Sequence, residues 1–458
     1  MDAEPAAPRA RPLLPAAAHV DPAGQSAFLR ERLLGPSGFV TSGGAKIKVV
    51  VGATGAGKTH FLDALLRAAA AEGFVAAAVD ASERALGTFD LLYQAVAADL
   101  DLEGLARRFA DRVVRDLGYA GPPLVAGQTL AAWAGEQGHD PVPLRARWEE
   151  AVHRRLVANA DVDVAYGLGL QRWCDVVLWG GAEAGGPGGG APSAGLLELW
   201  LRGGRVAVRD CNRLRLRRSL DRTTGRFWLR SLLHFIRMAR LPGLVAAVDG
   251  LEALEEDARP RRARDTAGRG DGAGDPPPGG AVALRPSEVV SSGRPRYTKQ
   301  RRDDFYECLR SLIDDMGLLP GFLLVVGVPT GIADPDNVRT GFASYPALAS
   351  RLHSEVETVE LNRFADEIVL ERVWAADPDA GRTLAGRLVD AVAPGAPSGV
   401  RERALAAARA QWAVRDVAVS AVRRSVLAVL GAAGAEERPG DVRGGADPAG
   451  WEASGDGI

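Results

Sequence analysis

Short β-branched runs alternate with segments of helical period along the first part of this chain. Lys46 to Val51 (KIKVVV) has the pattern of a buried strand, and from Thr59 to Ala71 the residues Phe61, Leu62, Leu65 and Leu66 fall on one helical face. Phe74 to Val79 (FVAAAV), closed by Asp80, predicts a second strand, and Phe89 to Leu100 predicts the next helix, so the alternation is that of a parallel α/β sheet. Helical segments then take over, broken by the Gly-rich run at 180–191. Strand character returns at Leu244 to Val248, ending in Asp249, and at Phe322 to Gly327. Between those two, Phe305, Leu309, Leu312, Ile313 and Met316 have the spacing of a core-facing helix.

Composition sets the boundaries. The 458 residues suffice for two or three domains. Residues 1–24 are rich in Ala and Pro and are expected to form a flexible arm, with a short helix over Ala27 to Leu34 leading to the first strand. Residues 257–295 are loaded with Gly, Pro, Arg and Asp and nearly lack large apolar side chains, so they cannot bury enough surface to offset the entropy of ordering. The expected layout is therefore the arm 1–24, a first part of the α/β core at 25–117, a helical insertion at 118–232, a second part of the core at 233–362 interrupted by a disordered loop at 257–295, a helical unit at 363–435 and a disordered tail at 436–458.

The formal net charge of −2 gives the whole molecule no reason to wrap nucleic acid; such contact has to come from a local patch. Arg205 to Arg230 is one candidate patch, with nine Arg against two Asp, interleaved with Leu, Phe227 and Trp228. Cys174, Cys211 and Cys308 lie far apart without metal-ligand spacing and read as small core residues in a reducing compartment. No leader-like apolar segment opens the sequence and no run of 18 apolar residues occurs, so a cytoplasmic location without membrane contact is expected.

The candidate chemistry begins where the first strand ends. Gly52-Ala53-Thr54-Gly55-Ala56-Gly57-Lys58-Thr59 fits G-x-x-x-x-G-K-[ST], between a strand and a helix, as a P-loop requires. Glycines let backbone amides turn inward onto phosphate oxygens, Lys58 reaches the β and γ phosphates, and the Thr59 hydroxyl ligates Mg2+. His60 closes this ATP-binding stretch, its side chain reading as incidental helix surface. Asp249, at the end of a strand, is the expected second holder of the Mg2+ shell. A Glu that polarises water usually follows such an Asp, but here the position is Gly250, which leaves Glu252 as the candidate catalytic acid, with Glu255 close by. After the strand FLLVVG, Val328 cannot sense a γ-phosphate, whereas Thr330 has the hydroxyl to do so. Arg351 stands where an oligomeric ATPase presents an arginine to its neighbour's nucleotide, so a homo-oligomer is a candidate assembly.

Five blocks in order, GATGAGKTH, VAAVDGLEAL, YTKQRRDDFYECLRSLIDD, FLLVVGVP and SYPALASRLH, resemble the ATP-binding protein BrxD family of bacterial BREX phage-defence systems, over most of residues 25 to 375. The resemblance implies an AAA+-like three-layer P-loop ATPase with a helical C-terminal lid, working beside a DNA methyltransferase and other defence components. In the family pattern the strand that here carries Asp249 ends Asp-Glu-x-Glu, so Gly250 departs from it while Glu252 matches its later acid, and Val328 stands where Thr is common. The expected function is ATP binding and hydrolysis that drives or gates a DNA-acting complex. Two alternatives stay open: a nucleotide-gated scaffold with little hydrolysis, and an ATP-dependent regulator of the STAND type.

Overall fold

The computed structural model describes residues 16–180, 194–256 apart from 217, 297–352, and 361–436 apart from 378 and 415–418. The expected loop at 257–295, the first fifteen residues of the arm, nearly all of the Gly-rich run and the tail from 437 lie outside the described residues.

Five strands, β1 (Ala45–Val51), β2 (Val75–Asp80), β3 (Leu244–Asp249), β4 (Phe322–Val328) and β5 (Glu367–Val369), form one sheet in the order β2-β3-β4-β1-β5. Every pairing is parallel; Ala45 lies opposite Phe322, and Val75 opposite Leu244. β4 is buried at all its positions and β1 at all but one, which explains their continuous apolar runs: helices cover both faces of a parallel sheet. Alternate residues of a strand point to opposite faces, so the sheet divides the interior in two. Ile47, Val49, Ala246, Val248, Leu324 and Val326 belong to one core with the helices that connect β2 to β3. Val50, Val245, Ala247, Leu323, Val325 and Ile368 belong to the other, with Phe61, Leu62, Leu65 and Leu66 of the helix Lys58–Ala71.

From β2 to β3 the described regular structure is helical, from Phe89–Ala97 to Gly225–Met238. Three of these helices start on a carboxylate that accepts an amide of their first turn, from Asp101, Asp140 and Asp163. At the centre of this unit the Tyr93 hydroxyl donates to the Leu201 carbonyl (2.5 Å) and lies 2.9 Å from the Tyr166 hydroxyl, with the Trp200 and Trp228 rings 4.4 Å apart beside them. All three cysteines are buried.

A flexible arm was expected to residue 24, but residues 16–24 pack. Ala18 and Val20 are buried with Leu384 and Leu388 of the helix Ala380–Val392, and Arg387 donates to the His19 carbonyl. Asp21 accepts the amides of Ser26 (2.7 Å) and Ala27 (2.8 Å), which fixes the turn into the helix Gln25–Leu29. Alternating small apolar residues give this stretch a face to bury, which its Ala and Pro content obscured. After β5 come the helices Leu370–Ala375, Ala380–Val392, Ser398–Val414 and Val419–Glu436. No described helix is long and apolar enough to cross a membrane.

Candidate functional site

The site is built at the carboxyl edge of the sheet, where β1, β3 and β4 end side by side. The Gly52 amide donates to the Val328 carbonyl (3.2 Å), which carries the pairing one residue past β1 before the chain turns away. It turns through Gly55 (φ 90°) and Gly57 (φ 102°), a left-handed backbone that costs other residues roughly 1–2 kcal/mol, and enters the helix Lys58–Ala71. The Ala56 amide closes the turn on the Ala53 carbonyl (3.0 Å). Among the described residues the amides of Thr54, Gly55 and Gly57 have no hydrogen-bond partner. They stand at the positive end of a helix dipole, an arrangement suited to an anion with several acceptor oxygens.

Lys58 is only 5% exposed. Its ammonium donates to the carbonyls of Gly52 (2.9 Å) and Ala53 (3.3 Å) and lies 2.9 Å from Glu252 Oε1, so its buried charge is paired. Beside it the Thr59 hydroxyl donates to Asp249 Oδ2 at 2.5 Å. Burial pushes the Asp249 carboxyl above its ordinary range, against the hydrogen bonds from Thr59 and the Gly250 amide, while the nearby Glu252 adds a further upward push. A side chain on Gly327 of β4 would place a Cβ 3.4 Å from Asp249 Oδ1 and 3.0 Å from Leu62, so this glycine keeps the space beside the carboxylate open. Thr59 and Asp249 offer the hard oxygen ligands that suit Mg2+.

The backbone at Gly250 is left-handed (φ 77°), and a Cβ there would lie 2.5 Å from Asp80 Oδ1 and 3.0 Å from the Ser82 amide. The residue that breaks the expected acidic pattern is thus the one that the left-handed turn leaving β3 favours. Glu252 reaches Lys58, as described, and burial pushes the Glu255 carboxyl up, helped by Glu252.

The other sequence-predicted residues are not all gathered here. Thr330 is exposed and opens the short helix Thr330–Ala333 just past β4, while Val328 is buried. Arg351, in the helix Pro346–Leu352, has its guanidinium committed within its own chain: Nε lies 2.7 Å from Asp314 Oδ1, and a terminal nitrogen lies 3.1 Å from Oδ2. In the arginine-rich stretch, Arg222 pairs with Asp304 (3.0 Å), Arg226 with Asp315 (2.6 Å) and Arg230 with Asp161, so part of its excess charge is neutralised internally; Arg217 lies outside the described residues. His60 corrects the expectation of helix surface. It is 8% exposed, its Nε2 is 2.9 Å from His19 Nδ1, and burial pushes its pKa down to about 4. His19, from the packed residues 16–24, lies against it.

Sequence reasoning missed the residues that close over the loop from the C-terminal side. Glu371 Oε1 accepts the Ala53 amide (2.6 Å), and the Trp374 indole donates to the Ala56 carbonyl (3.2 Å). Leu370 lies against Gly52 and Val419 against Gly57, where an added Cβ would meet them at 3.5 and 3.3 Å. Nothing in their spacing marks them; only their position after β5, next to β1, brings them to the loop.

Residues 30–110, which hold β1, the glycine loop, the helix Lys58–Ala71 and β2, match the family model described as BREX system ATP-binding protein BrxC/D. Searches of curated proteins and of solved structures returned no match.

Proposed function

We propose, with that family match as the premise, that this protein binds ATP with Mg2+ in the loop Gly52–Thr59 and uses the nucleotide to drive or gate a DNA-acting complex of a BREX-type phage-defence system. The observation that carries the reading is the convergence on one edge of the sheet of Lys58, the Thr59–Asp249 pair and the amides of Thr54, Gly55 and Gly57, which have no partner among the described residues. Those amides, with Lys58, suit the phosphates; Thr59 and Asp249 suit the metal, which would neutralise charge on the phosphates when bound. The sheet order, read from the other edge as β5-β1-β4-β3-β2, supports a P-loop NTPase of the AAA+ type, with the helices after β5 as its lid.

Hydrolysis is proposed with Glu252 as the carboxylate that activates water by accepting its proton. It has to release Lys58, which phosphate oxygens are suited to take over. Thr330 is proposed as the γ-phosphate sensor, and Arg351, once freed from Asp314, as the residue offered to a neighbouring copy in a homo-oligomer. Partners are proposed to be the methyltransferase and other defence components, in the cytoplasm, with DNA contact through the exposed part of Arg205–Arg230.

The turn at Gly250 favours a second reading, a nucleotide-gated scaffold with little turnover, because a side chain on that left-handed backbone would be strained and would crowd Asp80 Oδ1. Equilibrium ATP binding and steady-state hydrolysis with Mg2+, in the wild type and Glu252→Gln, separate the two. Turnover lost in the variant makes Glu252 the working base; tight binding without turnover in both makes the protein a scaffold; no binding refutes the ATP reading.

A further inference from the structure

Each cationic or donor group of the glycine loop that is engaged by a carboxylate has its own: Asp249 for Thr59, Glu252 for Lys58 and Glu371 for the Ala53 amide. Glu371 differs from the other two. It comes from the helix Leu370–Ala375, outside the strands that build the site, and Trp374 one turn on holds the Ala56 carbonyl. An anion at the mouth of a cradle for anions repels a polyphosphate in proportion to the ligand's charge.

We propose that Glu371 is an affinity-setting residue, a latch that ties the loop to the C-terminal helices and that a nucleotide polyphosphate must displace. The inference rests on the ATP reading given above and deepens it by naming how occupancy reaches the C-terminal helices. With phosphate in the loop, the carboxylate loses its place on the Ala53 amide through like-charge repulsion. Leu370–Ala375 then shifts, carrying with it Val373 and Trp374, which share a buried core with Leu384 and Leu388. The neutral Trp374–Ala56 contact has no such sensitivity, so the charge-dependent part of the coupling lies in Glu371.

The test compares the full-length wild type with Glu371→Gln, which keeps an acceptor oxygen and removes the charge, and with Glu371→Ala. Binding of Mg·ATP and of adenosine is measured by calorimetry, and amide hydrogen exchange is followed at Ala53 and across Ala380–Val392. Glu371→Gln is expected to bind Mg·ATP about three- to tenfold more tightly, with adenosine affinity unchanged, as one unit charge a few ångströms from a phosphate implies. In the nucleotide-free protein, Ala53 is expected to exchange faster in Glu371→Ala than in the wild type. Mg·ATP should alter exchange in Ala380–Val392 of the wild type, and less so in either variant. Equal or weaker Mg·ATP binding by a folded Glu371→Gln overturns the proposal, as does unchanged Ala53 exchange in Glu371→Ala. ATP binding absent from wild type and variants alike overturns the nucleotide reading and the latch with it, whereas Mg·ATP bound no more tightly by Glu371→Gln than by a binding-competent wild type overturns the latch alone.

Discussion

Gly250→Ala probes why the expected acidic pair is missing after β3. The substitution puts a methyl group on a left-handed backbone (φ 77°), at a cost of about 1 kcal/mol. The same methyl falls 2.5 Å from Asp80 Oδ1, the oxygen that accepts both the Ser82 amide (2.8 Å) and the Ser82 hydroxyl (2.6 Å). Displacing that carboxylate loses two hydrogen bonds worth about 0.5–1 kcal/mol each, so the total destabilisation is roughly 2–3 kcal/mol. Urea unfolding followed by tryptophan fluorescence measures it. Gly250→Glu meets the same oxygen with a like charge, so it should be at least as destabilised and gain no ATP turnover. A loss below about 0.5 kcal/mol in Gly250→Ala, within the range of ordinary surface changes, refutes the argument. So does a stable Gly250→Glu with raised turnover.

Lys58→Ala should abolish ATP binding, because it removes the one buried ammonium of the loop; unchanged affinity in a calorimetric titration refutes the site. Asp249→Asn should weaken Mg2+-dependent binding while leaving any metal-free binding in place, which titration with and without Mg2+ checks. Burial pushes the Asp175 carboxyl from 3.8 up to about 6, so its contribution is full below about pH 4 and is lost as pH rises through 6; Asp175→Asn should remove a fall of up to about 3 kcal/mol over that window in unfolding experiments at a series of pH values. His60 has the opposite sign: with its pKa pushed down from 6.5 to about 4, its contribution is present above pH 6.5 and lost as pH falls towards 4, so the His60→Gln protein should lack that loss.

The parts of the fold legible in the sequence were those whose signal is local. The run Lys46–Val51 becomes β1, LVAAV becomes most of β3 and FLLVVG most of β4, because strands buried on both faces carry unbroken apolar runs. β5 escaped notice because three residues offer no pattern to read. In the site, the glycine spacing and the positions of Lys58 and Thr59 could be read directly, since each is set by its distance from the strand end. The backbone at Gly250 could not: a glycine in place of a glutamate looks like a lost function until Asp80, from a different strand, is found against it. His60, read as surface, is buried against His19 from far earlier in the chain, and the carboxylate on the Ala53 amide comes from far later. Arg351 was legible as an arginine on a short helix, but its pairing with Asp314 depends on how two helices dock.

The sheet order also has a consequence for biosynthesis. β4 lies between β1 and β3, so the glycine loop and Asp249 come to their places only after residues 322–328 have been made and inserted. Long-range parallel pairing of this kind is slow, and strand edges left waiting for it are prone to stick to other chains. A ribosome carrying the first 250 or so residues therefore displays the loop sequence with no β4 to set it against the carboxylate. Nucleotide should begin to protect the growing chain from proteolysis only once β4 has left the exit tunnel, even though the loop itself is translated near the start.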